Sequence, residues 1–258
     1  MVSGTAPANR RARKIPIALQ LYSVREDCAR DLAGTLAAVA EMGYEGVEFA
    51  GFHGHSASEV RAMLEKNGLK AAGSHTGVDA LLGSALGETV AFNREIGNRF
   101  IVVPGLPGEY TNSPDAWRRT ADLFNEVAAQ LAPHGMRLGY HNHAAEFQPL
   151  EGEIPWDILF SRAKPEIIAQ MDVGHVLRAG ADPLPYLERY PGRAVTVHVK
   201  EYPDEKMVGE GDVPFAEFFR LCETIGNTEW YIVEIEAYPV SPLECARKAI
   251  GNLRAMGK

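Results

Sequence analysis

The chain has 258 residues, with 34 acidic against 26 basic side chains and a formal net charge of −8. Proteins that follow nucleic-acid phosphates normally present a basic patch, so this charge argues against a nucleic-acid partner. No run of 18 or more apolar residues is present, which argues against a membrane partner. The three scattered cysteines exclude a disulfide scaffold and a CxxC zinc site, and they favour a reducing compartment, the cytoplasm.

Residues 1–14 are small, polar and basic, and we interpret them as a flexible tail ahead of a single domain, residues 15–258. An arginine pair, Arg10-Arg11, occurs in this tail as it does in some export signals. The apolar run that follows ends in Arg25-Glu26-Asp27, however, and no small-residue cleavage site comes after it. The segment is therefore not predicted to direct export.

After the tail, short β-type runs alternate with longer segments of helical spacing almost to the C-terminus. Most of the runs are apolar on both faces, which is typical of strands buried between a barrel interior and an outer layer of helices. The eight predicted strands are residues 15–21, 46–49, 69–74, 100–103, 136–141, 167–171, 194–199 and 230–235.

The intervening segments predict eight helices. Leu32, Leu36 and Val39 recur at helical spacing, and a second apolar stripe extends from Trp117 to Leu131. Eight strand–helix pairs in about 240 residues correspond to roughly 30 residues each, the size of one βα unit. No Gly-x-Gly-x-x-Gly follows the first strand, which argues against an open dinucleotide-binding sheet. The predicted fold is α/β, a single (β/α)₈ TIM barrel.

Polar residues collect at the carboxyl ends of the predicted strands, where the catalytic residues of such barrels lie. Asp172, His198 and Glu234 come from strands 6, 7 and 8, so their side chains can reach one point. His141 and Glu146 are the candidates for a fourth position from strand 5. Converging carboxylates and imidazoles predict one divalent metal ion, and this mixed nitrogen and oxygen set suits Mn²⁺, Zn²⁺, Co²⁺ or Fe²⁺ better than Mg²⁺.

Each of these residues also has a structural explanation. Asp172 could cap the helix that follows it, and Lys200 could form an ordinary ion pair with Glu234. Glu234 lies in an otherwise apolar strand, where a carboxylate without a partner would be strongly disfavoured. His198 alone could be a hydrogen-bonded core histidine. Glu48 and His75 could pair with each other or contact a substrate.

Six motifs follow one another along the chain: Gln20-Leu-Tyr-Ser-Val-Arg25, Gly46-Val-Glu48-Phe, Tyr140-His-Asn-His143 with Glu146-Phe147, Met171-Asp-Val-Gly-His175, His198-Val-Lys200 and Gly209-Glu-Gly-Asp212. Together they resemble the xylose-isomerase-like TIM-barrel superfamily over essentially the whole chain after the tail. That superfamily includes sugar and sugar-phosphate isomerases and epimerases, inosose dehydratases and isomerases, and the endonuclease IV enzymes.

The resemblance implies a ligand set for the metal ion. Epimerases of the superfamily hold one ion with Glu, Asp, His and Glu from strands 5 to 8. The last three positions match Asp172, His198 and Glu234, whereas His141 occupies the position of the first glutamate. Because of this departure, the second acid or base beside Glu234 would have to be Glu146 or His143.

The resemblance also implies substrate contacts. His175 matches a histidine that contacts substrate oxygens, and Lys200 falls where the superfamily places a basic substrate-binding residue. Further substrate contacts are predicted from the ends of the first three strands, by Tyr22, Glu48 and His75. Members of the superfamily are often dimers or tetramers, which leaves a homo-oligomer open for this chain.

The predicted reaction is proton abstraction next to the carbonyl of a keto-sugar or related polyol, through an enediolate, by a metal-dependent isomerase or epimerase. Loss of a β-oxygen from the same enediolate would make the enzyme a dehydratase or a lyase of an inosose or 3-keto-glycoside. His143 or His175 would then protonate the leaving oxygen. A non-catalytic sugar-binding barrel and an endonuclease IV-like enzyme are the remaining alternatives. No glycine-rich phosphate loop stands out, which favours an unphosphorylated small molecule.

Overall fold

The computed structural model describes residues 14–258, so the predicted tail lies outside the described residues except for Lys14. The strands are β1 (Ile17–Gln20), β2 (Gly46–Ala50), β3 (Lys70–His75), β4 (Phe100–Val103), β5 (Arg137–His141), β6 (Ile168–Gln170), β7 (Thr196–Val199) and β8 (Trp230–Val233). The helices are α1 (Arg25–Arg30), α2 (Leu32–Met42), α3 (Ala57–Asn67), α4 (Ala85–Glu95), α5 (Pro114–Leu131), α6 (Pro155–Arg162), α7 (Val173–Arg178), α8 (Leu184–Arg189), α9 (Phe215–Leu221) and α10 (Pro242–Ala255).

The eight strands form one parallel sheet that curves into a barrel. Neighbouring strands pair in the order β6-β5-β4-β3-β2-β1-β8-β7. An isolated parallel bridge between Asp172 and His198 joins the two ends of this order, and the amide of His198 donates to the carbonyl of Met171 at 2.8 Å. The predicted single (β/α)₈ barrel is confirmed, and the bridge places two of the predicted metal ligands side by side.

All eight predicted strands are confirmed, with ends that differ by at most two residues. The number of helices differs, because ten rather than eight occur among the described residues. Asp31 separates α1 from α2: its φ of −158° is not helical, and its side chain accepts a hydrogen bond from the amide of Gly34 as an N-cap. None of the helices in residues 14–258 is long and apolar enough to cross a membrane.

Packing of α5 against β5 fixes the end of the strand that carries His141. The predicted stripe on α5 is buried, and the rings of Trp117 and Phe124 lie 5.7 Å and 5.9 Å from that of Tyr140. Such aromatic contacts limit the movement of the strand end, because protein interiors are closely packed. The side chain that follows Tyr140 therefore has a defined direction toward the barrel mouth.

The close approach of β2 and β3 at Glu48 depends on a glycine. Gly73 lies opposite Glu48, and a Cβ atom at this position would lie 2.4 Å from Oε1 of the glutamate. We expect Gly73→Ala to lower the free energy of unfolding by about 1–3 kcal/mol, because overpacking displaces the buried carboxylate. Urea denaturation measures the loss. Gly77→Ala is the control, since its Cβ would meet no atom within 4 Å; equal losses in both variants would contradict this explanation.

Candidate active site

Four of the predicted metal ligands lie together at the carboxyl ends of the barrel strands. Each of them, His141, Asp172, His198 and Glu234, is buried. Nδ1 of His198 lies 2.8 Å from Oε2 of Glu234 and 3.8 Å from Oδ2 of Asp172. Nε2 of His141 lies 3.9 Å from the same oxygen of Glu234. The structure therefore brings the four side chains from β5 to β8 to one place, although each is more than 25 residues from the next in sequence.

Asp172 has one oxygen in use and one free. Its Oδ1 accepts a hydrogen bond of 2.9 Å from the amide of His175, so the predicted cap of the next helix is present. Its Oδ2 is buried and has no hydrogen-bond partner within residues 14–258. Burial raises the pKa of Asp172 to about 7, against the opposing charge of Lys200. A divalent cation would satisfy this oxygen, so the residues fit a metal ion.

His175 lies beside the same group. Ligand atoms of His175, His141, Asp172 and Glu234 all lie within 4.8 Å of one another. Neither nitrogen of the His175 ring has a hydrogen-bond partner among the described residues. Burial and the charge of Lys200 lower the pKa of His175, which keeps the ring neutral. This placement is compatible with the predicted substrate contact and with a place among the metal ligands.

His198 differs from His175 because both of its nitrogens face carboxylates. Nε2 lies 2.6 Å from Oε2 of Glu48, on the opposite side of the ring from Glu234. Burial disfavours a charged ring, but Glu234 and Glu48 outweigh that effect and raise the pKa of His198 to about 10. His75 and His198 together hold the pKa of Glu48 below its ordinary value despite burial. In this arrangement the ring is charged and donates to both carboxylates. To bind a metal ion, His198 would have to lose the proton that faces Glu234, because a metal-bound imidazole is neutral.

Glu48 is fully buried beneath the mouth and has hydrogen bonds at both oxygens. Nε2 of Gln20 donates to Oε2 at 2.7 Å, and Nε2 of Gln170 donates to Oε1 at 2.8 Å. Nε2 of His75 lies 3.2 Å from Oε2, the pairing that the sequence left open. These contacts favour a positioning role for Glu48 over the predicted substrate contact. The sequence prediction gave no role to Gln20 or Gln170. Their side-chain amides within otherwise apolar strands could have indicated a buried polar partner.

Glu146, predicted as an acid or base, is engaged within its own turn. Its Oε1 accepts from the hydroxyl of Tyr140 at 2.7 Å, and its Oε2 accepts from the amide of His143 at 2.8 Å. The ring of His143 is exposed, with its centroid 5.2 Å from that of His141 and 4.9 Å from that of His175. Of the two predicted candidates, His143 thus lies beside the candidate metal ligands, here called the metal-ligating group (His141, Asp172, His198 and Glu234), whereas Glu146 holds the turn.

Removal of the Tyr140 hydroxyl tests this explanation of Glu146. We expect Tyr140→Phe to lower the free energy of unfolding by about 1–2 kcal/mol, because one buried oxygen of Glu146 loses its donor. Chemical denaturation followed by circular dichroism measures the change. Glu146→Gln is the comparison and should cost at least as much, because its one oxygen can accept from Tyr140 while its NH2 group then faces the donor amide of His143. A Tyr140→Phe variant as stable as the parent would show that the hydrogen bond contributes little.

Two further predicted residues lie around this group. Lys200 is buried and its Nζ pairs with Glu236, so the alternative pairing with Glu234 is not found. Tyr22 is 42% exposed, and the guanidinium of Arg25 lies 4.4 Å above its ring. The substrate contacts of Lys200 and Tyr22 stay predictions. The sequence prediction gave no role to Glu236, the partner of Lys200. The only indication in the sequence was a second glutamate shortly after Glu234.

Comparison with known proteins places the chain in a family. The sequence profile described as "Xylose isomerase-like TIM barrel" matches residues 36–256, most of the chain. The chain belongs to this family. The resemblance stated from the motifs is thereby confirmed, together with the fold that it implied.

Named relatives of this family member include enzymes. It is 27% identical over 170 residues to an inosose dehydratase from Clostridium perfringens, an alignment that covers 57% of each chain. The chain thus matches little more than half the length of that relative. A solved sugar phosphate isomerase/epimerase from Parabacteroides distasonis is 20% identical, with a TM-score of 0.82 over 96% of this chain and 98% of that chain. A solved structure of the IOLI protein with a bound zinc atom is 14% identical, with a TM-score of 0.71 over 93% and 97% of the two chains.

Proposed function

We propose that the protein is a metal-dependent enzyme that removes a proton next to the carbonyl of a small, unphosphorylated keto-polyol or keto-sugar and expels the oxygen on the following carbon. Two observations carry this proposal: His141, Asp172, His198 and Glu234 lie side by side, and the buried Oδ2 of Asp172 has no hydrogen-bond partner among the described residues. The similarity to an inosose dehydratase supports elimination. The cytoplasmic location and a homo-oligomer stay predictions.

His141, Asp172, His198 and Glu234 would hold one divalent ion, for which Mn²⁺, Zn²⁺ or Co²⁺ suits the donor set. Glu48 on Nε2 of His198 is the outer carboxylate that metal-bound histidines commonly have. The zinc atom bound by the IOLI protein, a structural neighbour of this chain, supports the proposal of a metal ion. When bound, the ion would act as a Lewis acid that acidifies the carbon–hydrogen bond beside the carbonyl.

Glu234 would take the proton. Burial opposes its ionisation, but His198 first, and then His141 and Lys200, outweigh burial and keep the pKa of Glu234 well below its ordinary value. A bound cation would act in the same direction. The carboxylate is therefore ionised and able to accept. The ring centroid of His143 lies 5.2 Å from that of His141 and 4.9 Å from that of His175, so the imidazole of His143 could give a proton to the departing oxygen. His175 is the less suitable donor, because its lowered pKa keeps the ring neutral.

The sequence favoured isomerisation or epimerisation. The contacts of Glu146 are the reason that we place elimination first. A pair of carboxylates on opposite faces of the substrate suits epimerisation, but both oxygens of Glu146 are engaged by Tyr140 and His143. Isomerisation is the second candidate, since the imidazole of His143 could return a proton to the neighbouring carbon.

Turnover in deuterated water distinguishes the two reactions. The Mn²⁺-loaded protein is incubated with inososes, 3-keto-glucosides and keto-sugars, and the products are analysed by mass spectrometry. Elimination predicts loss of water or of an alcohol, whereas isomerisation predicts deuterium uptake without such loss. If the metal-loaded protein binds these compounds but neither incorporates deuterium nor changes their mass, the proposal fails and a sugar-binding barrel is favoured.

The ligand assignment has its own test. We expect His198→Gln to weaken Mn²⁺ binding by roughly 100-fold or more, beyond the loss typical of outer-shell partners. His175→Gln is the matched comparison, with unchanged metal stoichiometry but slower turnover. Calorimetric titration and elemental analysis measure both. If metal binding is lost only in His175→Gln, the fourth ligand is His175 and not His198.

A further inference from the structure

A groove opens beside the candidate metal centre, between the segments that follow β4 and β5. Its volume is about 490 Å³, within the range of small-molecule sites. The walls are mainly apolar and include Leu106, Trp117 and Leu150, together with the rings of Pro149 and Pro155. If the ring of a keto-sugar binds at the metal centre, the groove has room for a second part of the substrate.

His143 connects the groove to the metal-ligating group. Its side chain lines the groove, and its ring also lies near those of His141 and His175, at 5.2 Å and 4.9 Å between centroids. A substrate bound across His143 would therefore place one part at the metal-ligating group and the other part in the groove. The bond between these two parts would lie at the imidazole.

The charge of the groove indicates what that second part is. Its described lining contains no lysine or arginine. The carboxylate of Glu146 faces it but has both oxygens bound by Tyr140 and by the amide of His143. A phosphate would find no cationic partner there, whereas an uncharged apolar group would bury surface against leucine, tryptophan and proline.

We infer that this groove binds the apolar, ring-containing aglycone of a keto-glycoside, and that His143 protonates the glycosidic oxygen as it leaves. The inference rests on the proposed elimination. Glu234 takes the proton from the carbon between the carbonyl and the anomeric carbon, and the electrons of that bond form a carbon–carbon double bond. The anomeric carbon–oxygen bond breaks, and the oxygen departs with the proton of His143 as an alcohol. An unsaturated keto-sugar remains, so no oxidant or reductant is required.

Two substrates of matched chemical reactivity test the inference. The 3-keto-β-glucosides of 2-phenylethanol and ethanol release alcohols of similar acidity, so a difference in kcat/KM reports binding in the groove. For the Mn²⁺-loaded parent we expect a preference of roughly 10-fold or more for the phenylethyl compound. Leu106→Asn, and separately Leu150→Asn, should reduce this preference toward one. Leu123→Asn is the control, because Leu123 is equally half-buried on α5 but does not line the groove.

The outcomes separate the inference from the proposed function. Elimination of both glucosides at equal kcat/KM by the parent would overturn the aglycone site and leave the proposed function standing. A preference that survives in both groove variants would also overturn the site. If the metal-loaded parent eliminates neither glucoside but removes water from an inosose, the inference fails and the proposed function stands. If it eliminates from none of these compounds, both fail. A preference lost in the groove variants and kept in Leu123→Asn supports both.

Discussion

Glu234→Gln is expected to slow proton abstraction by about 100- to 10,000-fold, the range for loss of a general base. The amide keeps the size of the side chain but accepts a proton poorly, and it cannot pair with His198 as a carboxylate does. The rate of deuterium incorporation into the substrate measures the effect. Metal saturation is verified for each sample, so that loss of the ion is not mistaken for loss of the base.

Glu229→Gln is the control for this variant. Glu229 immediately precedes β8, at the opposite end of the strand from Glu234, and pairs with Arg99 at 2.7 Å near the barrel surface. Its substitution should leave the exchange rate unchanged, since an exposed ion pair contributes little. Exchange at the parent rate by a metal-saturated Glu234→Gln variant would exclude Glu234 as the base.

Glu48→Ala is expected to produce the largest loss of stability, about 3–5 kcal/mol, because it leaves the charged ring of His198 buried without one partner. The donors of Gln20 and Gln170 lose their acceptor at the same time. Glu48→Gln keeps one acceptor oxygen and should cost less. Glu45→Ala, exposed just before the same strand, is the control and should change the free energy of unfolding little.

The loss caused by Glu48→Ala should depend on pH in chelator. The pKa of His198 is raised from 6.5 to about 10, so its stabilising contribution is complete below pH 6.5 and is lost as the pH rises toward 10. The pKa of Glu48 is lowered from 4.5, so its contribution is present above pH 4.5 and is lost as the pH falls below it. The difference in the free energy of unfolding between parent and variant should therefore be greatest between pH 4.5 and pH 6.5. Urea denaturation at several pH values that gave a constant difference from pH 6 to pH 10 would contradict the pairing.

The sequence by itself determined the barrel and the neighbourhood of its site. Apolar runs at regular spacing specify eight buried strands, and strict alternation with helices specifies their parallel order. Since the ends of consecutive parallel strands are adjacent, the convergence of Asp172, His198 and Glu234 followed from their positions in the chain. Two helix boundaries were missed. One lies at Asp31, which leaves the helical region while its side chain caps the next helix, and the other lies between α7 and α8, where Gly180 has a left-handed φ of 75°.

Only the tertiary structure decided which partner each polar side chain takes. Glu146 lies in the same segment as the mouth residues, yet both of its oxygens are bound within the turn. Lys200 could reach two glutamates after β8 and pairs with Glu236 rather than Glu234. Periodicity specifies which face of a strand is buried, but hydrogen bonds form or fail over differences of less than 1 Å. Those differences depend on rotamers and on packing between residues far apart in the chain, which a single sequence does not display.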